Sequence, residues 1–124
     1  MTVVGIGIDA VDVARFRAVL ARRPSIVDRL FTTAERDAVC RGSVDGAARL
    51  AARFAAKEAV MKALGVGLGS FAFADVEVVS APSGAPSLVL RGRAAELAGE
   101  RGVRDWRLSL THTSHIAEAV AVAL

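Results

Sequence analysis

The segment Arg53-Phe54-Ala55-Ala56-Lys57-Glu58-Ala59-Val60-Met61-Lys62 carries the densest chemistry of the chain. Glu58 and Lys62 are four residues apart and share one flank of a helix. The ordinary reading is a surface ion pair worth about 0.2–0.5 kcal/mol. Lys57 is less ordinary, because helical spacing points it into the apolar stripe beside Phe54 and Met61. An ammonium there must snorkel to water or find a partner, which suggests that this helix lines a site. Asp9 closes a run that bears Gly5 and Gly7. It can cap a helix beginning at Ala10, a common job for Asp, or it can hold a hard divalent cation. Mg2+ takes one or two protein carboxylates, several waters and phosphate oxygens, and Asp9 with Glu58 is that minimal set. His112 follows Ser109-Leu110-Thr111. It reads either as a hydrogen-bonded bend residue or as a phosphate contact or proton carrier near neutral pH.

The basic residues add a hint. Of the 16 Lys and Arg residues only two are lysines, and both lie in this segment, at 57 and 62. A compact ammonium suits a point contact that a planar guanidinium does not. Two glycine patterns are weaker. Gly65-Val66-Gly67-Leu68-Gly69 could bring backbone amides to a phosphate, but it lacks the Gly-Lys-Ser/Thr ending of a P-loop and follows a helix. Gly5-x-Gly7 lacks the third glycine of a dinucleotide fingerprint.

The elements that must position these residues are legible from periodicity. Val3 to Asp9 reads as a strand with Val4, Ile6 and Ile8 on one face and Gly5, Gly7 and Asp9 on the other, where something must pack very close. Ala10 to Arg23 reads as a helix with Val13, Phe16 and Leu20 inward and Arg15 and Arg22 outward. A short helix follows over Ile26 to Leu30. Thr32-Thr33-Ala34-Glu35 is a capping box opening another helix to about Cys40. Arg41 to Asp45 reads as a loop, with Gly42, Ser43 and Gly46 as breakers. Ala47 to Leu64 is the longest helix, built from good helix formers, with Leu50, Phe54, Met61 and Leu64 as its buried stripe and Gly65 at its end. Strands are expected over Asp75 to Ser80, Ser87 to Arg91, Trp106 to Thr111 and Ile116 to Leu124, with a helix over Ala94 to Arg101. The last strand places Ala117, Ala119, Ala121 and Ala123 on one face, which suits a closely packed helix or a neighbouring subunit. The fold class is therefore α+β, helices packed on a mostly antiparallel sheet.

Composition bounds the rest. At 124 residues and 12.9 kDa the expectation is one domain over 1–124. Hydrophobic residues are 53% but aromatic residues only 5%, with no Tyr and one Trp. A core of small side chains buries little area per residue, so an oligomer is expected. The lone Cys40 can form neither an internal disulfide nor a structural zinc site. No apolar run reaches the ~20 residues of a membrane span, and no signal peptide is visible, so the chain reads as cytoplasmic. A pI near 10.0 raises nucleic-acid binding as an alternative. The net charge of only +3, the lack of a basic run and the scarcity of stacking aromatics speak against it.

Four segments, in order and spacing, resemble the holo-acyl-carrier-protein synthase family, the small type of 4′-phosphopantetheinyl transferase. They are Val4-Gly5-Ile6-Gly7-Ile8-Asp9, Phe31-Thr32-Thr33-Ala34-Glu35, the helix segment Arg53 to Lys62, and Leu108-Ser109-Leu110-Thr111-His112. The resemblance covers essentially the whole chain. It implies transfer of phosphopantetheine from coenzyme A to a serine of apo acyl carrier protein, with adenosine 3′,5′-bisphosphate as by-product. It implies Mg2+ held by Asp9 and Glu58, and Lys62 meeting the phosphates. Arg53, Gly65, the turn Ser83 to Pro86 and the pair His112-Thr113 match segments that line the coenzyme A pocket. Arg15, with Arg22 as a second, matches the arginine that docks the acidic carrier protein. Small members are homotrimers with sites between subunits. Phe54 stands where many relatives carry Trp, and Thr113 where some carry an acid, which leaves no carboxylate there to act as base. Glu58 is the first candidate base and His112 the second. A non-catalytic coenzyme A or nucleotide module of the same fold is the competing reading.

Overall fold

Asp12, not Asp9, opens the first helix: its side chain accepts from the Arg15 amide at 2.9 Å. The preceding strand β1 runs Gly5–Asp12 and helix α1 runs Val13–Arg22, so the strand is three residues longer at its end than its alternation suggested. The cap therefore relieves Asp9 of that job and leaves it in mid-strand. The computed structural model describes residues 2–41 and 46–124. Of the loop expected over Arg41 to Asp45, residues 42 to 45 lie outside the described residues.

Helix α2 spans Ile26–Leu30 and α3 spans Thr33–Cys40. The expected capping box is formed: Thr32 Oγ1 accepts from the Glu35 amide at 3.1 Å, and Glu35 Oε1 accepts from the Thr32 amide at 3.0 Å. Helix α4 spans Gly46–Ala63, so Gly46 starts this helix and does not break the chain before it. Its end is a Schellman turn. The Val66 amide donates to Met61 O and the Gly65 amide to Lys62 O, with Gly65 at φ +68°, a backbone state that favours glycine. A 3-10 turn at Phe73–Asp75 leads into β2, Val76–Ser80, which pairs antiparallel with β3, Pro86–Leu90. Helix α5 covers Gly92–Glu100, β4 Trp106–His112 and β5 Ile116–Ala123.

Among the described residues the strands form two sheets, β1-β5-β4 and β2-β3, each antiparallel throughout. This is the expected helix-on-antiparallel-sheet architecture. Helix α4 lies across the first sheet, and small residues let it come close. The four inward alanines of β5 are at most 1% exposed. A Cβ built on Gly5 would sit 1.9 Å from Ala63 O, and one on Gly7 1.9 Å from Ala59 O. Only glycine permits that approach. The expected α4 stripe is only half right: Met61 and Leu64 are buried, but Leu50 and Phe54 are partly exposed. The deepest positions are instead Ala48, Ala51, Ala55, Ala56, Ala59 and Val60. A helix sandwiched between a sheet and other elements buries most of its circumference, and the bulky side chains go to its margins.

Candidate active site

The two glycines also explain where Asp9 goes. One step of two residues along β1, from Gly5 to Gly7, moves the contact on α4 back from Ala63 to Ala59. Two strand residues and four helix residues both span about 6–7 Å, so strand and helix run in opposite directions. The next inward residue on the strand is Asp9, which the same step carries one turn further back along α4, past Ala59; the Lys62 side chain reaches back toward the helix N-terminus to meet it. Lys62 Nζ meets an Asp9 carboxylate oxygen at 3.0 Å and Ile8 O at 2.9 Å. The ion pair made by Lys62 is this one, across the elements, and not the i,i+4 pair with Glu58 that spacing suggested.

Asp9 and Glu58 line one cleft of about 660 Å³, together with Asp12, Arg15, Phe16, Phe54, Leu68 and Phe73. The Glu58 carboxyl is pushed above the ordinary glutamate range, first by burial and then by the negative charge of Asp9, with Lys62 pulling the other way. Two carboxylates that raise each other's energy in a part-buried cleft fit a divalent cation, which would neutralise both. Among the described residues there is no cluster of three or more His, Cys, Asp or Glu that could complete a metal shell alone. Any cation here must take its other ligands from water or substrate oxygens, as Mg2+ does.

A second cleft, of about 220 Å³, is lined by Arg49, Ala52, Arg53, Ser80, Gly84, Pro86, Leu110 and His112. Arg53 is 6% exposed. It donates to Arg49 O at 3.3 Å, and its Nε is buried without a partner. Burial and the neighbouring Arg49 lower its pKa, against a smaller opposing pull from Glu35. Arg49, Arg53 and His112 make this an anion-seeking pocket. Arg49 was not singled out from the sequence; its spacing of four from Arg53 was the available signal.

The remaining candidates are more scattered. Arg15 sits at the mouth of the first cleft, while Arg22 lines a neighbouring surface hollow with Val19, Arg23 and Ile26. Ser83 and Gly65 are exposed and line neither cleft. Thr113 is exposed, and its hydroxyl oxygen accepts from the His115 and Ile116 amides at 3.1 and 3.0 Å, which shapes the bend. Lys57 does not line a site. It is wholly buried, with a salt bridge of 2.8 Å to Glu35. Glu35 was legible only as a capping residue, because nothing local marks its long-range partner.

The sequence model of the 4′-phosphopantetheinyl transferase superfamily matches residues 5–123. The chain belongs to that superfamily. It is accordingly a transferase, and its relatives agree. The holo-[acyl-carrier-protein] synthase of Beutenbergia cavernae is 52% identical over 121 residues, covering 98% of this chain and 97% of that one. The enzyme of the same name from Frankia alni is 50% identical over 123 residues, covering 99% and 98%. Among solved structures, the Neisseria meningitidis holo-[acyl-carrier-protein] synthase superposes with a TM-score of 0.89 at 26% identity, covering 99% of both chains. The Helicobacter pylori enzyme in complex with coenzyme A gives 0.82 at 30% identity, covering 96% of this chain and 99% of that one. The transferase thus shares its whole described architecture with these enzymes. Its Asp9–Glu58 cleft and its Arg49–Arg53–His112 cleft share no lining residue.

Proposed function

We propose that the chain, as one domain over 1–124, is a cytoplasmic, Mg2+-dependent transferase. It moves 4′-phosphopantetheine from coenzyme A to a serine of apo acyl carrier protein, leaving adenosine 3′,5′-bisphosphate. The observation that carries this reading is the convergence of Asp9 and Glu58 on one cleft from positions far apart in the chain, with Lys62 bonded to Asp9 beside it. The serine oxygen bonds to the phosphorus of the pantetheine phosphate, and the bridging P–O bond to the nucleotide phosphate breaks. Phosphoryl transfer asks a protein chiefly for positioning and charge neutralisation.

Asp9 and Glu58 would hold Mg2+, which when bound supplies Lewis-acid polarisation of the diphosphate. Lys62, half-exposed and bonded to Asp9, exchanges part of that contact for a phosphate oxygen and neutralises charge that grows on the leaving group. Glu58 takes the serine proton. His112, exposed and beside Arg53, serves as a phosphate contact. Arg53, Pro86 and His112 hold the nucleotide end; Gly65, Ser83 and Thr113, which line neither cleft, are assigned as further contacts on the family resemblance alone. Arg15 and Arg22 dock the acidic carrier protein, and opposite charge speeds that encounter.

The two clefts of one chain are set apart. Arg53 and Glu58 are five residues apart on α4, about 140° around the helix. The outer face of the first sheet is apolar: Ile6 and Ile8 are 66% and 62% exposed, and they pair in register with Val122 and Val120. Both features support a homotrimer that covers this face and builds each site from one chain's acidic cleft and its neighbour's basic one. Sedimentation equilibrium checks the stoichiometry.

The deciding experiment incubates the protein with coenzyme A, Mg2+ and an apo acyl carrier protein, then weighs the carrier. A gain of one phosphopantetheine supports transfer. Tight coenzyme A binding without that gain makes the chain a binding module instead.

A further inference from the structure

The most enclosed ionic pair takes no part in the chemistry above. Lys57 and Glu35 both have side chains at 0% exposure, 2.8 Å apart. Lys57 Nζ also donates to Phe73 O at 3.0 Å and to Val76 O. Glu35 accepts from the Thr32 and Val78 amides, each at 3.0 Å. The pair ties four segments together: the start of α3, the middle of α4, the 3-10 turn and β2. As a source of stability such a pair is poor, because desolvation offsets the attraction and apolar replacements are often neutral or stabilising. What it supplies is direction, since each bond fixes one backbone segment relative to α4.

Those segments frame the site. Lys57 precedes Glu58 on α4, so holding Lys57 inward sets the direction of Glu58, about 100° around the helix. Phe73, whose carbonyl Lys57 holds, lines the Asp9–Glu58 cleft. Its ring packs on Phe54 at 5.5 Å, and Phe54 packs on Phe16 at 5.4 Å; both line the same cleft. One ammonium is thus bonded to one wall of the cleft and carried by the helix that presents the acid on the other.

We infer that Lys57 and Glu35 are positioning residues: their buried pair locks the Phe73 wall against α4 and so holds Glu58 at a fixed place relative to the diphosphate. This rests on the transfer reaction proposed above. Neither residue touches substrate.

Lys57→Met alone strands a buried carboxylate and is expected to lose stability. The informative protein combines Lys57→Met with Glu35→Gln, which removes both charges and keeps an acceptor for the α3 cap. It is assayed well below its melting temperature, per folded molecule. A second variant, Glu35→Asp, keeps both charges and shortens the reach by one methylene. In both, kcat for transfer to the carrier is expected to fall about tenfold or more, while KM for coenzyme A stays within about twofold. Hydrogen exchange at the Val78 amide is expected to quicken in step. Wild-type kcat in either folded variant overturns the inference, as does a lower kcat with Val78 exchange unchanged. If the wild-type protein itself adds no mass to the carrier, the proposed reaction fails; if it does and the variants match it, only the positioning role fails.

Discussion

Lys62 on α4 reaches across to Asp9 on β1, 3.0 Å away, and to the neighbouring Ile8 carbonyl at 2.9 Å. The contact joins the helix motif to the N-terminal strand motif, two segments more than fifty residues apart in sequence. It also leaves Glu58, one turn earlier on the same helix, beside a second carboxylate and partly out of water.

In the proposed reaction Lys62 acts as a functional cation more than a structural one. Its side chain is 50% exposed and that of Asp9 17%, and a pair with its cation in solvent contributes little to stability. Lys62→Met is expected to leave the melting temperature within a few degrees of wild type. It is expected to lower kcat about 10²–10³-fold, the usual cost of removing one donor to developing charge. Thermal melts and steady-state assays on the same preparation check both halves.

Glu58 makes the opposite trade. A carboxyl whose folded pKa is raised binds protons more readily in the native state. Its contribution to stability is present below the ordinary carboxylate range and is lost as pH rises through the raised value. Glu58→Gln, without Mg2+ or coenzyme A, is thus expected to melt higher than wild type at neutral pH. The difference is expected to vanish near about pH 4. Turnover in the same variant is expected to drop about 10²–10⁴-fold if Glu58 is the base. Full turnover with metal and coenzyme A still bound removes Glu58 from that role.

Gly7 sets the spacing between β1 and α4. A methyl there would lie 1.9 Å from Ala59 O and 2.8 Å from Ala63 N, both backbone, so nothing flexible can yield. Gly7→Ala is expected to cost about 3 kcal/mol or more, read by urea unfolding, and any folded fraction is expected to transfer poorly because Asp9 is displaced from α4.

The proposed carrier docking through Arg15 and Arg22 makes an ionic-strength prediction. Both arginines are exposed, so added salt screens them. The apparent KM for the acidic carrier is expected to rise with salt, while that for coenzyme A changes less. Arg15→Glu is expected to raise the carrier KM about tenfold. Equal salt sensitivity for both substrates would contradict this docking surface.

Much of this was legible before any coordinates. The paired glycines announced a close approach, the alternating alanines of β5 announced what approached, and the capping box and Schellman glycine marked two helix ends. The family resemblance put Asp9, Glu58 and Lys62 at one site; in the fold Lys62 bonds to Asp9, and Asp9 shares a cleft with Glu58. What failed was local inference about partners. Asp9 looked like a cap because strand alternation gives no stop signal, and Asp12, with its own cap geometry, takes that role. Glu58 and Lys62 looked like a pair because i,i+4 spacing says nothing of a strand arriving alongside. Lys57 looked like a site residue, and its actual partner, Glu35, lies on another helix where sequence shows only a cap. The division of the site into two clefts was invisible, since it depends on how far around α4 each residue turns.

In the proposed enzyme Asp9 and Glu58 would together hold one divalent cation against the diphosphate of coenzyme A. Crystals grown with coenzyme A and Mn2+ in place of Mg2+ test it through the anomalous signal of the metal. A single strong peak bonded to both carboxylates and to diphosphate oxygens is expected. A peak away from those two side chains, with the diphosphate bound elsewhere, would contradict it.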